Sequence, residues 1–191
     1  MPQSTFLEDL MSAGRGIFGL VIGDRRAASY FDFSQRGLAT AGIAFLAITA
    51  VGIYLPMLVA GAHDNALLAL IRLLIIVVLQ VAFAAIVLRQ AKKLDVFVPF
   101  LVTEAWMNFF VSLVAGALTA AGVGGDLLTI IFGLAVIWIE VNIGRFVLGL
   151  APLQIAMLII AEIIGASIAL GIVLLTFPVP PDVAAQLAAL G

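Results

Sequence analysis

Apolar residues run along this chain in five long stretches separated by short polar breaks. The stretches are residues 38–62, 67–88, 98–121, 127–147 and 153–175. Each is long enough for a helix to cross the roughly 30 Å hydrocarbon core of a bilayer, which takes about 20 apolar residues. Transmembrane strands need alternating segments of about ten residues instead, and no such alternation is present. The breaks are turn-like: His63-Asp64-Asn65, Arg89 through Asp95, Gly122 through Asp126, and Gly149-Leu150-Ala151-Pro152. Connections this short make sequential helices antiparallel neighbours. The expected fold is all-α, an integral membrane bundle of five transmembrane helices over residues 37–176, with interfacial amphipathic helices at both termini.

Residues 1–36 form the amphipathic N-terminal segment. Thr5-Phe6-Leu7-Glu8 fits a capping box. Leu7, Leu10, Gly14, Ile17 or Phe18 and Val21 then recur at helical spacing, while Glu8, Asp9, Ser12 and Arg15 take other faces. Such a helix lies in the plane of the membrane interface. Gly23-Asp24-Arg25-Arg26 ends it, and Tyr30, Phe31 and Phe33 suit the headgroup region. The first 22 residues carry Glu8, Asp9 and Arg15 and have no basic leading region, so no cleavable signal is expected. At the far end, residues 177–191 form a tail. Phe177-Pro178-Val179-Pro180-Pro181 terminates the fifth helix, and Asp182 is placed to cap a short surface helix through Leu190. Pro56 is the one proline that interrupts the interior of a span, Pro99 lying in the first turn of the third; the ring of Pro56 opposes the carbonyl of Gly52, and a kink is expected there.

Composition turns this pattern into a class. Of 191 residues, 64% are hydrophobic and 10% charged, where a soluble domain has roughly 25% charged. A water-soluble fold is excluded. The formal net charge of −2 provides no basic field for nucleic acid. With no cysteine there are no disulfides, thiolate metal sites or thiol nucleophiles, and a single histidine excludes multi-His metal sites. The basic residues are unevenly placed. Arg15, Arg25, Arg26 and Arg36 precede the first span, Arg89, Lys92 and Lys93 follow the second, and Arg145 closes the fourth; only Arg72 lies toward the other side. By the positive-inside rule the N-terminus is cytoplasmic and the tail extracytoplasmic, periplasmic in a bacterium.

Gly14-Arg15-Gly16-Ile17-Phe18-Gly19 matches the glycine pattern of dinucleotide-binding turns, with Asp32 downstream. That chemistry needs a strand before the glycines and a βαβ unit around them. Thirteen helix-like residues precede Gly14 and a membrane span begins at Leu38, so the unit has no room. Small residues that let an interfacial helix sit against the bundle explain the glycines better. There is no G-x-S-x-G, H-E-x-x-H or Walker pattern. No catalytic residue, cofactor or metal ligand is expected, and the chain reads as a non-enzyme. His63 reads as a solvated turn residue, and Trp106, well inside the third span, as a packing residue.

The chemistry that remains is inside the spans, where ionisable residues are costly and face the bundle interior. At 1.5 Å per residue, Glu104 stands roughly 9 Å, Glu140 roughly 10 Å and Glu162 roughly 14 Å from the cytoplasmic ends of their helices. Three carboxylates at related depth on three helices form a candidate cluster, and such groups sharing an apolar site cannot all stay ionised. Glu104, Asn108 and Ser112 share a face of the third helix. Glu162 shares its face with Gly165, Ala166 and Ala169, which places it in a helix interface. Trp138, Asn142 and Arg145 share one face of the fourth helix, and Glu140 points about 200° away from Asn142; a helix polar on two opposed faces belongs in the middle. Two expectations follow. In one, Arg145 pairs with Glu104 or Glu140, and Arg72 snorkels outward or reaches Glu162, so the charges are structural. In the other, the carboxylates relay protons or cations, with Gln80 and Asn108 as neutral partners. A water-accessible cavity reaching the carboxylates separates the two.

Tyr30-Phe31-Asp32-Phe33-Ser34 after Gly23-Asp24-Arg25, with Val98-Pro99-Phe100 leading to Trp106, resembles small five-helix inner-membrane proteins of alphaproteobacteria. The resemblance implies a bacterial inner-membrane location and carries no particular activity. The coarse topology is also similar to that of Yip1-type proteins. Five helices with little mass outside the bilayer suggest an accessory or scaffold subunit, acting as a homo-oligomer or with a membrane-complex partner. The alternative is a small oligomeric secondary transporter or channel using the intramembrane carboxylates.

Overall fold

The computed structural model describes residues 5–60 and 66–177, and every regular element among them is helical. The helices are α1 (Phe6–Ile22), α2 (Gln35–Ala60), α3 (Ala66–Gln90), α4 (Phe97–Ala120), α5 (Asp126–Asn142) and α6 (Pro152–Thr176). Short 3-10 turns, Ala27–Tyr30 and Leu94–Val96, precede α2 and α4, and a π-helical turn, Ile143–Val147, extends α5. Five helices are long and apolar enough to cross a membrane, in the order the hydrophobic pattern gives. The turn at His63-Asp64-Asn65, the prolines from Pro178 on and the helix expected from Asp182 to Leu190 lie outside the described residues. α2 continues through Pro56 to Ala60 as one helix.

The ends of these helices follow from a few residues. Thr5 and Glu8 form the expected capping box: the Glu8 N–H donates to Thr5 Oγ1 at 3.3 Å and the Thr5 N–H to Glu8 Oε2 at 2.7 Å. Gly23 takes the left-handed conformation (φ 75°) that closes α1, and the Asp24 N–H donates to Gly19 O at 2.8 Å. Ser34 starts α2, its hydroxyl accepting from the Gly37 N–H at 3.2 Å and donating to Asp32 at 2.9 Å. Pro152 occupies the first turn of α6, where its missing N–H costs nothing.

Packing departs from sequence order. The closest partners are α3 with α6 and α2 with α4, whereas the short connections had suggested that consecutive helices would be the main neighbours. Small residues decide this. A Cβ at Gly165 of α6 would stand 3.0 Å from Leu79 O and 3.1 Å from Gln80 Cα, so the backbones of α3 and α6 meet there. α4 and α5, joined by a turn of a few residues, diverge. The buried core gathers at one end, from Leu20 of α1, Leu88 of α3, Phe100, Trp106 and Met107 of α4, Ile139 and Ile143, and Ile155 and Leu158 of α6. Toward the other end α4 and α5 expose Leu113, Val114, Leu127, Ile130 and Leu134.

α1 lies against that tight end. Its buried face is Ala13, Gly16, Ile17, Gly19 and Leu20. Of the apolar face expected from spacing, Ile17 is buried and Leu10 and Gly14 pack against the bundle, whereas Leu7, Phe18 and Val21 point outward, as do Met11 and Ile22. The small residues win the inner face because neighbours come so close: a Cβ at Gly16 would fall 2.5 Å from the Phe31 ring, and one at Gly14 3.2 Å from Phe110. The dinucleotide-like glycines are therefore packing contacts. Phe110 belongs to an aromatic cluster with Trp106 and Phe109, and Trp106, 3% exposed, is the packing residue its position predicted. The Arg36–Asp9 ion pair (3.1 Å) and a hydrogen bond from Ser12 Oγ to Tyr30 O (2.6 Å) tie α1 to the start of α2.

Candidate carboxylate cavity

The five long helices line a partly open cavity of about 460 Å³, and each contributes a polar side chain. α2 brings Thr49, α3 Gln80, α4 Glu104 with Asn108 and Ser112, α5 Glu140 and α6 Glu162. The register of each helix explains the convergence. Glu104, Asn108 and Ser112 recur every four residues, so a single face of α4 delivers all three. The α3–α6 contact at Gly165 lies one turn from Glu162 and directly beside Gln80, so the close backbone approach sets both side chains at the same level. Glu140 lies across α5 from the face that holds α1.

That opposite face of α5 is now accounted for. Trp138 Nε1 donates to Val21 O at 2.9 Å, and Asn142 Nδ2 donates to Leu20 O at 2.9 Å. These are carbonyls of the last turn of α1, where the helical hydrogen-bond ladder runs out; Leu20 O accepts in addition from the Gly23 N–H at 3.2 Å. Asn142 is fully buried, so its amide is a structural clasp. The sequence pattern marked α5 as polar on both sides; it could not tell that one side serves α1 and the other the cavity.

Neither arginine neutralises the carboxylates. Among the described residues no ion pair joins Arg72 or Arg145 to a glutamate, which corrects the expected pairings. Arg145 is turned aside by the π-helical turn that carries it. Its guanidinium stands 5.2 Å from the Phe146 ring centroid, and its side chain faces a separate apolar groove with Val141, Pro152 and Ile155. The tight approach of Gly144 to Ile155, 2.7 Å for a Cβ at that glycine, fixes the turn there. Arg72 reaches the end of the bundle, 5.4 Å over the ring of Phe177, and not down to Glu162. This is the outward alternative, and it leaves Arg72 Nε buried without a hydrogen-bond partner.

Glu104, Glu140 and Glu162 all line this one cavity, near enough for their charges to repel one another. Glu162 is 8% exposed. The Asn108 amide donates to the backbone carbonyl of Glu104 at 2.9 Å, the preceding turn of its own helix, so it does not bind the Glu104 carboxylate. A carboxylate buried without a partner is costly unless it takes up a proton, a cation or a hydrogen-bond donor. The walls around the polar groups are apolar: Leu38, Phe45, Leu73, Ile76, Val77, Phe100 and Met107. The arrangement can hold a positive charge against oxygen ligands in an otherwise oily chamber. Thr49 escaped the sequence reading, although it is one of two threonines in the first span; Thr40 is committed to Arg36 O at 3.0 Å, which leaves Thr49 for the interior.

Comparison with known protein families, with curated proteins and with solved structures finds no match to this chain. The functional reading therefore rests on the cavity.

Proposed function

We propose that this is an integral membrane protein that moves protons or cations by way of Glu104, Glu140 and Glu162. The single observation that carries the reading is a cavity reached by all three carboxylates with neither arginine paired to them. Charges that serve only to stabilise a bundle are neutralised inside it, whereas charges that bind and release a cation need an unoccupied face. In a bacterial inner membrane the skew of basic residues supports a cytoplasmic N-terminus, with the α1 end of the bundle on that side. The test is ion flux in proteoliposomes holding the full chain. Proton or monovalent-cation movement is expected, and E162Q should reduce it at least tenfold. No movement of either under any gradient would overturn the proposal.

A second reading is favoured by a different feature. The outward stripe of α1, Leu7, Met11, Phe18 and Ile22, is available to the bilayer or to a protein neighbour. An accessory or scaffold subunit working as a homo-oligomer or in a membrane complex would use it. Mass determination after gentle extraction tests this; a monomer that carries nothing with it counts against a scaffold.

A further inference from the structure

We infer that the cavity takes an organic cation, a singly charged group on a lipophilic body, with Glu162 as its counter-charge. This rests on the cation-handling reading above and names the class of cation.

The first reason is the wall chemistry. A hydrated inorganic ion exchanges water for oxygen ligands, and calcium or magnesium takes six or more. Among the described residues no three acidic or imidazole side chains come together as a metal site would require. The carboxylates instead stand around a chamber whose remaining surface includes Phe45, Ile76, Phe100 and Met107. Such walls gain nothing from a hydrated ion and gain burial energy from an apolar body, at about 25 cal/mol per Å² removed from water.

Size gives the second reason. At about 460 Å³ the cavity is far larger than an alkali ion and falls within the roughly 300–1,000 Å³ of small-molecule sites. Phe45 and Phe100 are among its lining residues, and aromatic rings attract ammonium or phosphonium groups.

The third reason is Glu162 itself. It is more than nine-tenths buried, lines the cavity, and has no hydrogen bond or ion pair. Gly165 and Ala169 press its helix against α3, so the side chain has nowhere to go but the chamber. A buried carboxylate held this way matches a ligand that brings its own positive charge, because desolvation then falls on a cation that is weakly hydrated. Gln80 and Thr49 are neutral and can accept from an ammonium N–H without adding charge.

The test uses tetraphenylphosphonium and the full chain in detergent, with binding followed by calorimetry. Saturable 1:1 binding in the micromolar range is expected. E162Q should weaken it at least tenfold, while E8Q, on the exposed side of α1, should leave it unchanged. V77W fills the cavity without altering any carboxylate and should abolish binding, which keeps the proposal testable if E162Q does not fold. Binding that survives both E162Q and V77W would be adventitious and would overturn the inference. Absence of phosphonium binding alongside Glu-dependent proton or sodium flux would overturn it while leaving the proposed function standing. Absence of binding together with flux insensitive to all three Glu→Gln changes would remove both.

Discussion

Glu162 shows how one side chain can be costly to the fold and useful to the molecule. It is buried, it shares its cavity with Glu104 and Glu140, and among the described residues no ion pair offsets it. Replacing it with glutamine keeps shape and hydrogen-bonding capacity and removes the charge. E162Q is therefore expected to match or exceed the parent in thermal unfolding in detergent while losing flux; a lower Tm with flux retained would mean a structural carboxylate. Gly165 makes the opposite prediction. Any side chain there meets the backbone of Leu79 and Gln80, which cannot step aside as a side-chain tip can. G165L should separate α3 from α6 and destabilise the fold by about 1–3 kcal/mol, the usual cost of overpacking, read as a fall in Tm. The sequence marked both residues, since Glu162, Gly165 and Ala169 share a helical face. It did not reveal where the arginines go. Spacing placed Arg145 on the face of Trp138 and Asn142, but the π-helical turn of Ile143–Val147 breaks that spacing, and only Gly144 hinted at it.

At the scale of elements, α1 is the instructive one. Its start and stop are written in Thr5, Glu8 and Gly23, and all three act as read. Its inner face was legible only in part: Leu10, Gly14 and Ile17 face the bundle as their spacing implies, whereas hydrophobicity alone wrongly favours Leu7 and Val21. Close approach favours Gly16 and Ala13, and where a helix meets a bundle already rich in large apolar residues, room matters more than hydrophobicity. The larger side chains are left facing outward, a compatible arrangement for a helix lying in a membrane interface. The docking can be tested cleanly because the chain has no cysteine. In an A13C background the thiol is buried against the bundle and should react slowly with a membrane-impermeant maleimide. Adding G16L, which drives a side chain into Phe31, should speed labelling at least tenfold. Adding N142A removes one hydrogen bond to Leu20 O, a loss of about 1 kcal/mol, and should speed it less. Equal labelling in all three would mean that α1 is not held there.

For the whole molecule, the number of long helices was legible because a bilayer imposes a minimum apolar length. Their pairing was not, since contacts between helices distant in sequence, such as α3 and α6, depend on which faces are small. The outcome is a bundle whose main buried cluster gathers at the end that α1 covers. Eight of the nine Lys and Arg residues belong to the α1 end, in the segment before α2, the α3–α4 connection and the α5–α6 connection. Packing and charge thus point the same way, although they arise independently. The orientation they imply predicts that a reporter fused after Lys93 is active only as a cytoplasmic enzyme, and one fused after Leu190 only as a periplasmic enzyme. If both fusions report the same side, the chain crosses the membrane an even number of times between them. One of the long helices would then not span, and a cavity drawing a polar side chain from each of five spans would lose a wall. A third fusion at Gly124 identifies the fault: periplasmic activity there keeps α4 as a span, and cytoplasmic activity removes it together with Glu104.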